Sequence, residues 1–214
     1  MDMKNENQDR NANGAVKSQG GNSPDGTEKP KDPIWLWLIK ECWQYVAVIV
    51  VFALLFTFVV VNAKLPSGSM ENTIMTGERL FGNRLAYTNS DPERYDIVIF
   101  KYPDDESRLF VKRVIGLPGE TVTIRDGKVY INDSTEPLMD SFCPEKPTGD
   151  FGPFTVPEGC YFMMGDNREH SNDSRYWTNK YVSKDKIVGK VGFRYWPLTK
   201  IGPVTSTFDE DLNW

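Results

Sequence analysis

Two serines stand in a short turn-forming segment, Leu65-Pro66-Ser67-Gly68-Ser69-Met70. Proline and glycine favour a tight turn, which can expose a serine hydroxyl and direct backbone N–H groups at a bound oxyanion. Ser69 would then be a nucleophile. Because a serine in such a turn is most often only a turn residue, the segment needs support from elsewhere in the chain.

A serine nucleophile needs a general base, and the sequence offers two candidates. His170 is the only histidine and would give a Ser–His arrangement. Lys112 lies in the apolar run 109–115, where apolar side chains on both faces of a strand favour burial. Burial would lower the lysine pKa, although a lysine that reaches solvent from an edge strand is the plainer interpretation. The residues alone leave both bases open.

Polar side chains dominate residues 164–175, directly after an apolar strand-like run. They would form either a solvated loop or a packed polar network in which Asp173 and Arg175 pair and a hydroxyl orients the base. A metal-binding loop is a third interpretation. It is the least favoured, because the acids are not spaced as in an EF-hand.

Composition disfavours several classes of function. The net charge is −5 and the basic residues are scattered, so nothing indicates a nucleic-acid partner. The chain has one histidine and three cysteines, without C-x-x-C spacing, an HExxH motif or a GxxxxGK[ST] loop. We therefore expect no metal, no cofactor and no nucleic acid to take part in the function.

The chain divides by composition into three parts. Residues 1–33 are polar and are predicted to be a disordered tail, because they cannot bury enough apolar surface to offset their ordering entropy. Residues 34–62 are predicted to be a transmembrane anchor with an interfacial flank, and their uncharged stretch 45–61 would span about 25 Å as a helix. Residues 63–214 form the globular part.

Two other interpretations of the apolar run are weaker. A buried core helix would show a polar face, and a cleaved secretory signal would have an unusually long amino-terminal region. Lys29, Lys31 and Lys40 flank the run on its amino-terminal side, against Lys64 and Arg79 on the other, which favours a cytoplasmic tail and a globular part on the outer face of the membrane. Ser69 follows Val61 by eight residues, so it stays within roughly 28 Å of the bilayer surface.

Short apolar runs with turn signals between them predict a mostly β, antiparallel fold for the globular part. Asp126-Gly127 is a strong two-residue hairpin signal. Residues 119–160 are predicted to be a small insert, whose part from 133 onward is rich in proline, glycine and acids. The predicted strands are 95–102, 109–117, 121–125, 128–132, 161–165 and 187–196.

Taken together, these segments resemble the type I signal peptidases, the bacterial leader peptidases. The single anchor and the short insert look like the Gram-positive form. The resemblance implies a catalytic domain of coiled antiparallel β-sheets behind one transmembrane helix. It rests on the anchor and on four motifs in order: Pro66-Ser67-Gly68-Ser69-Met70, residues 95–100, residues 112–119, and Gly165-Asp166-Asn167-Arg168 with Ser171, Asp173, Ser174 and Arg175.

The resemblance implies a membrane-bound serine endopeptidase that removes signal peptides from preproteins with a Ser–Lys dyad. Ser69 would be the nucleophile and Lys112 the base, and the Ser67 hydroxyl with the Ser69 N–H would form the oxyanion hole. Ser171 would hydrogen-bond the lysine, and Asp173 would pair with Arg175. Small residues before the cut, the Ala-x-Ala pattern, would fit shallow pockets. The implied substrate-binding residues are Leu65, Pro66, Met70, Ile74, Phe110 and Val111.

Two departures from the family pattern stand out. Asn72-Thr73 replaces a common Pro-Thr pair, which would alter the turn rather than the chemistry. His170 stands where a small polar residue is common. A non-catalytic, membrane-anchored β module remains a rival, and it would not react with a serine-directed acylating probe. If the globular part is outside the cytoplasm, Cys143 and Cys160 are also predicted to form a disulfide.

Overall fold

A computed structural model of the chain describes residues 33–140, 142–143 and 148–204. The predicted disordered tail therefore lies outside the described residues except for Pro33. In chain order the described helix and strands are α1 (Ile34–Val59), β1 (Val60–Lys64), β2 (Arg79–Asn83), β3 (Ile97–Tyr102), β4 (Asp105–Gly116), β5 (Thr121–Arg125), β6 (Lys128–Ile131), β7 (Phe151–Thr155), β8 (Cys160–Met164), β9 (Tyr181–Ser183), β10 (Ile187–Trp196) and β11 (Gly202–Pro203).

Helix α1 is long and apolar enough to cross a membrane, and none of its residues is buried by the protein. The chain divides into two units within this helix, 1–46 and 47–214. The helix ends at Val59, three residues before the predicted end of the anchor, because Val60 and Val61 already pair with β2. Valine is β-branched and favours a strand when a partner strand is available.

A large antiparallel sheet forms the body of the second unit, with strands in the order β1-β2-β10-β3-β4-β8-β9 and β11 added to β10. Strand β3 is buried on both faces: Ile97 and Ile99 join one core cluster, and Val98 and Phe100 join another. This explains why its sequence is continuously apolar instead of alternating. Strand β4 lies between β3 and β8, so its carboxy-terminal half is buried as well.

A separate three-stranded sheet, in the order β6-β5-β7, forms the insert. Asp126 and Gly127 join β5 to β6 with φ values of 49° and 71°, so both central residues are left-handed, as a tight hairpin turn requires. Ile115, Val122, Ile124, Phe162 and Met164 belong to a third core cluster, which joins this small sheet to β4 and β8 of the large one.

All six predicted strands are confirmed, and the mostly antiparallel β fold with one amino-terminal helix is confirmed with them. Five short strands were not predicted: β1, β2, β7, β9 and β11. Strand β7 contains Gly152 and Pro153, which read as a loop in the sequence. It lies at the edge of the small sheet, where proline is tolerated because one side of an edge strand needs no ladder hydrogen bonds.

The predicted disulfide is wrong, because the thiols of Cys143 and Cys160 are both free. Their charged neighbours show that they lie in different surroundings. Burial raises the pKa of Cys143 to about 12, and Arg168 and Asp166 are the charged residues that affect this pKa most. Cys160 pairs in β8 with Ser183 of β9, and Asp185 is its charged neighbour.

Tight packing between the two sheets predicts the effect of Gly116→Ala. A Cβ atom at Gly116 would lie 2.6 Å from a methyl group of Val122 and 2.9 Å from Cβ of Phe162. We expect the substitution to lower the free energy of unfolding by about 1–3 kcal/mol, the usual cost of overpacking. Urea unfolding followed by circular dichroism would measure it. Gly192→Ala is the matched control, since nothing lies within 4 Å of its added Cβ, and an equal loss in both variants would contradict the argument.

Candidate active site

Ser69 and Lys112 meet in the second unit although they are 43 residues apart in sequence. Ser69 lies in the segment between β1 and β2, and Lys112 lies in β4, paired with Val98 of β3. The Lys112 Nζ is hydrogen-bonded to the Ser69 Oγ. Both side chains are inside the protein, since Ser69 is 7% and Lys112 is 3% exposed.

The surroundings of Lys112 favour its neutral form. Burial lowers the pKa of Lys112 to about 8, because an ammonium group loses its hydration there. Asp173 and Asp166 act in the opposite direction, and Arg175 adds to the lowering. The Phe110 ring, whose centroid is 5.8 Å from Nζ, supplies part of the apolar wall. A lysine with this pKa can accept a proton near neutral pH.

Asn167 holds the turn that carries Ser69. Its backbone N–H donates to the Ser69 carbonyl at 3.2 Å, and its Nδ2 donates to the Gly68 carbonyl at 3.1 Å. Two successive carbonyls of the turn therefore face Asn167. The Ser67 Oγ lies 3.5 Å from the Ser69 Oγ, too far for a strong hydroxyl–hydroxyl hydrogen bond, and Ser67 is exposed. Its hydroxyl can therefore donate to a bound oxyanion.

Two buried arginine–carboxylate pairs lie behind the dyad. Arg175 binds Asp173 through Nε at 2.8 Å and Nη2 at 2.9 Å. Arg113 binds Asp166 in the same bidentate manner, at 2.8 and 2.6 Å. Thr73 also donates to Asp166, at 2.5 Å, which connects this pair to the segment that carries Ser69. The polar stretch 164–175 is therefore a packed network and not a solvated loop.

An open groove of about 340 Å³ runs over the dyad. Four of the six predicted substrate-binding residues line it: Leu65, Pro66, Phe110 and Val111. Met70 and Ile74 do not, because both are fully buried in the core cluster beneath the turn. His170 and Asn172 also line the groove. Within the part of the chain that the structure describes, no hydrogen bond joins the His170 side chain to Ser69.

Comparison with known proteins decides the family. Residues 38–196 match the family described as "Signal peptidase, peptidase S26". The chain belongs to this family. It is 35% identical over 190 residues to a probable signal peptidase I-2 of Synechocystis, covering 86% of this chain and 84% of that protein. It is also 39% identical over 180 residues to signal peptidase I of Bacillus licheniformis, covering 80% and 93% respectively.

A solved signal peptidase I from Enterococcus faecalis is 37% identical to the chain, covers 47% of it and 97% of its own length, and superposes with a TM-score of 0.41. The family match and the Synechocystis and Bacillus relatives identify the chain as a signal peptidase I, a serine peptidase that removes signal peptides from preproteins. Its amino-terminal apolar helix agrees with a membrane localisation.

The expected hydrogen bond between Ser171 and Lys112 of this signal peptidase is not formed. The Ser171 Oγ is buried and has no hydrogen-bond partner among the described residues. It lies against Gly165, where a Cβ atom would collide with it and with the Ser69 carbonyl. The Ser171 hydroxyl thus fills the space that a side chain at position 165 would need, while the Lys112 Nζ bonds to Ser69.

Asn72, where the family commonly has proline, has a backbone conformation that proline does not adopt. Asn72 has a φ of 85°, in the left-handed region that asparagine tolerates better than most residues. Proline, with its φ fixed near −65°, could not adopt this conformation. Thr73, the second residue of the departing pair, keeps its contact with Asp166.

Sequence reasoning missed the roles of Arg113, Asp166 and Asn167 in this signal peptidase. Each lies within a family motif, but none was assigned a partner. A useful signal was available for Arg113, because an arginine inside an apolar strand must find a carboxylate if it is buried. Which carboxylate it finds depends on the pairing of β4 with β8, where Arg113 lies opposite Met164, two residues before Asp166.

The buried pair predicts a large stability loss in Asp173→Ala. Asp173 is fully buried, and it also accepts from the backbone N–H of Gly165 at 3.0 Å. Its removal leaves Arg175 charged and without a carboxylate, which costs about 3–5 kcal/mol in such sites. Asp91→Ala, which breaks an exposed pair with Lys184, is the control and should scarcely move the urea midpoint. Equal midpoints for the two variants would contradict a structural role of the buried pair.

Proposed function

We propose that this signal peptidase cuts the peptide bond with Ser69 as nucleophile and Lys112 as general base. The neutral Lys112 Nζ takes the Ser69 Oγ proton as Oγ bonds to the scissile carbonyl carbon. The tetrahedral intermediate then breaks its C–N bond, and Nζ returns the proton to the leaving amine. Lys112 next takes a proton from water as the water oxygen attacks the acyl-serine, and Nζ gives this proton to the Ser69 Oγ as the ester C–O bond breaks, which releases the signal peptide and restores Ser69.

The hydrogen bond between Lys112 and Ser69 in a buried site carries this proposal. It fulfils both requirements of a serine nucleophile, a base within hydrogen-bond reach and a base that is neutral near working pH. His170 does not meet the first requirement, since its side chain is exposed and its contact with the network is a backbone N–H donated to the Asn167 Oδ1.

The oxyanion hole consists, on this proposal, of the Ser69 backbone N–H and the Ser67 hydroxyl. Asn167 supports it by binding the carbonyls on the opposite side of the turn. Donors that are fixed before the reaction stabilise the developing negative charge without reorganisation. Ser171 is a positioning residue here, because its hydroxyl packs against the glycine beside the Ser69 carbonyl.

The substrate binds in the groove as an extended segment along β4. Alternate side chains of an extended segment face the same way, so the side chains of the first and third residues before the cut both point toward the enzyme. Phe110, Val111 and Leu65 leave only shallow space for them, and Met70 and Ile74 support that surface from the core. Small residues at these positions, the Ala-x-Ala pattern, follow from this arrangement.

Residues 34–62 anchor the enzyme in the lipid bilayer, with the tail 1–33 in the cytoplasm and the catalytic domain 63–214, including the insert 119–160, on the outer face. Only five residues separate the end of α1 from Leu65, so the groove stays near the membrane. A signal peptide held in the same bilayer would present its cleavage site at this level.

Lysine catalysis predicts that activity rises with pH. Below the Lys112 pKa of about 8 most molecules carry an ammonium group, which cannot accept a proton. The value of kcat/KM should therefore increase about tenfold per pH unit at low pH and level off above pH 8. A pH series on a preprotein peptide measures this. Lys112→Arg should be inactive throughout, because an arginine pKa stays above about 12.

The matched variant for the base is His170→Ala, which should keep the wild-type shape of the pH profile. If His170→Ala loses the rise with pH while Lys112→Arg remains active, histidine is the base and the proposal fails. Ser69→Ala should abolish cleavage, and its circular dichroism spectrum should remain that of the folded protein.

Loss of one oxyanion donor predicts a defect in kcat. Ser67→Ala should lower kcat by about 10²–10³ with little change in KM, because the donor acts on the intermediate and not on the bound substrate. Ser67→Thr keeps a hydroxyl at the same place and should retain much of the activity. Steady-state kinetics on one peptide measures both variants, and a change confined to KM would remove Ser67 from the oxyanion hole.

A further inference from the structure

Basic side chains are concentrated in the groove although the chain as a whole is acidic. Lys64 and Arg108 line the groove together with the dyad and His170, and its described lining includes no aspartate or glutamate. The whole chain has a net charge of −5. The groove therefore carries positive charge although the net charge of the protein is negative, and the positive potential in the groove favours the binding of anionic groups.

Each of the two cations precedes a catalytic residue in the same segment of the chain. Lys64 comes five residues before Ser69, and Arg108 comes four residues before Lys112. Arg108, Phe110 and Lys112 alternate along β4 and so face the same way. The four-residue separation of Arg108 from Lys112 corresponds to about 13 Å of strand.

Arg108 forms no ion pair with the described residues and is held in place by aromatic rings. Its guanidinium carbon lies 5.3 Å from the ring centroid of Phe110 and 6.0 Å from that of Tyr102. Stacking of this kind orients the planar group and leaves its N–H donors available. Asp105, which interacts electrostatically with Arg108, has its Oδ1 hydrogen-bonded to the Ser107 hydroxyl at 2.6 Å.

Lys64 is likewise free to bind a new partner. It is exposed, and no carboxylate of residues 33–140, 142–143 or 148–204 forms a salt bridge with it or with Arg108. Its cross-strand neighbour on β2 is Arg79, another cation. Like charges at directly opposed positions repel, so an added anion would relieve this pair as well.

We propose that Arg108 forms a subsite in the groove for a carboxylate side chain, aspartate or glutamate, at the fifth position before the cut. The inference rests on the proposed extended binding along β4. If the first residue before the cut lies beside Lys112, the third lies beside Phe110 and the fifth beside Arg108, because paired strands advance one residue at a time. Arg108 binds the carboxylate with its planar fork, and Lys64 adds a second positive charge.

The test uses the full-length enzyme in detergent micelles and peptides with an Ala-x-Ala site that differ only at the fifth position. With Asp there, kcat/KM should exceed that of the Asn peptide about three- to fivefold at low salt, and the Lys peptide should be slower than both. The difference should shrink near 1 M salt, where the Debye length is about 3 Å. A peptide of identical composition, with the Asp ten residues before the cut, should resemble the Asn peptide.

Substitutions of single cationic residues test which side chain causes the preference for the Asp peptide. Arg108→Gln should reduce the Asp-to-Asn ratio to about one, and Arg108→Glu should make the Lys peptide the better substrate. Lys101→Gln removes a positive charge from an exposed residue of β3 that does not line the groove, so it should keep the wild-type ratio. Because each variant is judged by a ratio between two peptides, a partial folding defect cancels.

Two results would overturn the subsite. Equal cleavage of the Asp, Asn and Lys peptides by the wild-type enzyme would do so while leaving the proposed function intact, because Ser69→Ala, Lys112→Arg and His170→Ala test that function separately. Unchanged ratios in Arg108→Gln and Lys64→Gln, together with weaker binding to phosphatidylglycerol vesicles, would assign these cations to the membrane instead.

Discussion

The neutral form of Lys112 is the condition on which the rest of the site depends. An amine can hold this form at moderate pH only where water is excluded, so the side chain must lie inside the sheet and not on its edge. Strand β4 meets this need because β3 and β8 cover it on both sides and the core clusters cover its faces. The same burial brings the lysine against the turn that carries Ser69, so one packing arrangement sets both the acidity and the position of the base.

The buried ion pairs have to coexist with that neutral amine. A carboxylate without a counter-ion near Lys112 would stabilise the ammonium form of the lysine, which cannot accept a proton. Asp173 and Asp166 are each bound in a bidentate manner by an arginine, so their fields are largely compensated and burial remains the stronger influence on the Lys112 pKa. The network therefore fixes the turn and the loop 164–175 without reversing the effect of burial.

Strands with continuous apolar sequences and the Asp126–Gly127 hairpin could be predicted from local sequence, since their signals lie within a few residues. β1 was missed because it continues the apolar run of the anchor, and β7 was missed because glycine and proline conceal it. The candidate nucleophile and base came from motif residues. The Arg113–Asp166 pair and the Asn167 contacts could not be derived, because they depend on how distant strands pair. Two contacts predicted without knowledge of the packing are absent among the described residues. The motif suggested a hydrogen bond between Ser171 and Lys112, and an oxidising compartment suggested a disulfide between Cys143 and Cys160.

The insert has a consequence for how this chain can change over time. It leaves the large sheet after Gly116 at the end of β4 and returns through β8, where Phe162 pairs with that same glycine. Its entry and exit are thus already held together by the body of the protein. Lengthening a segment with fixed ends costs little additional entropy, about 0.6 kcal/mol for each doubling. The hairpin tip between β5 and β6 can therefore gain or lose residues while the dyad stays in register, which makes it the natural place for variation in chain length.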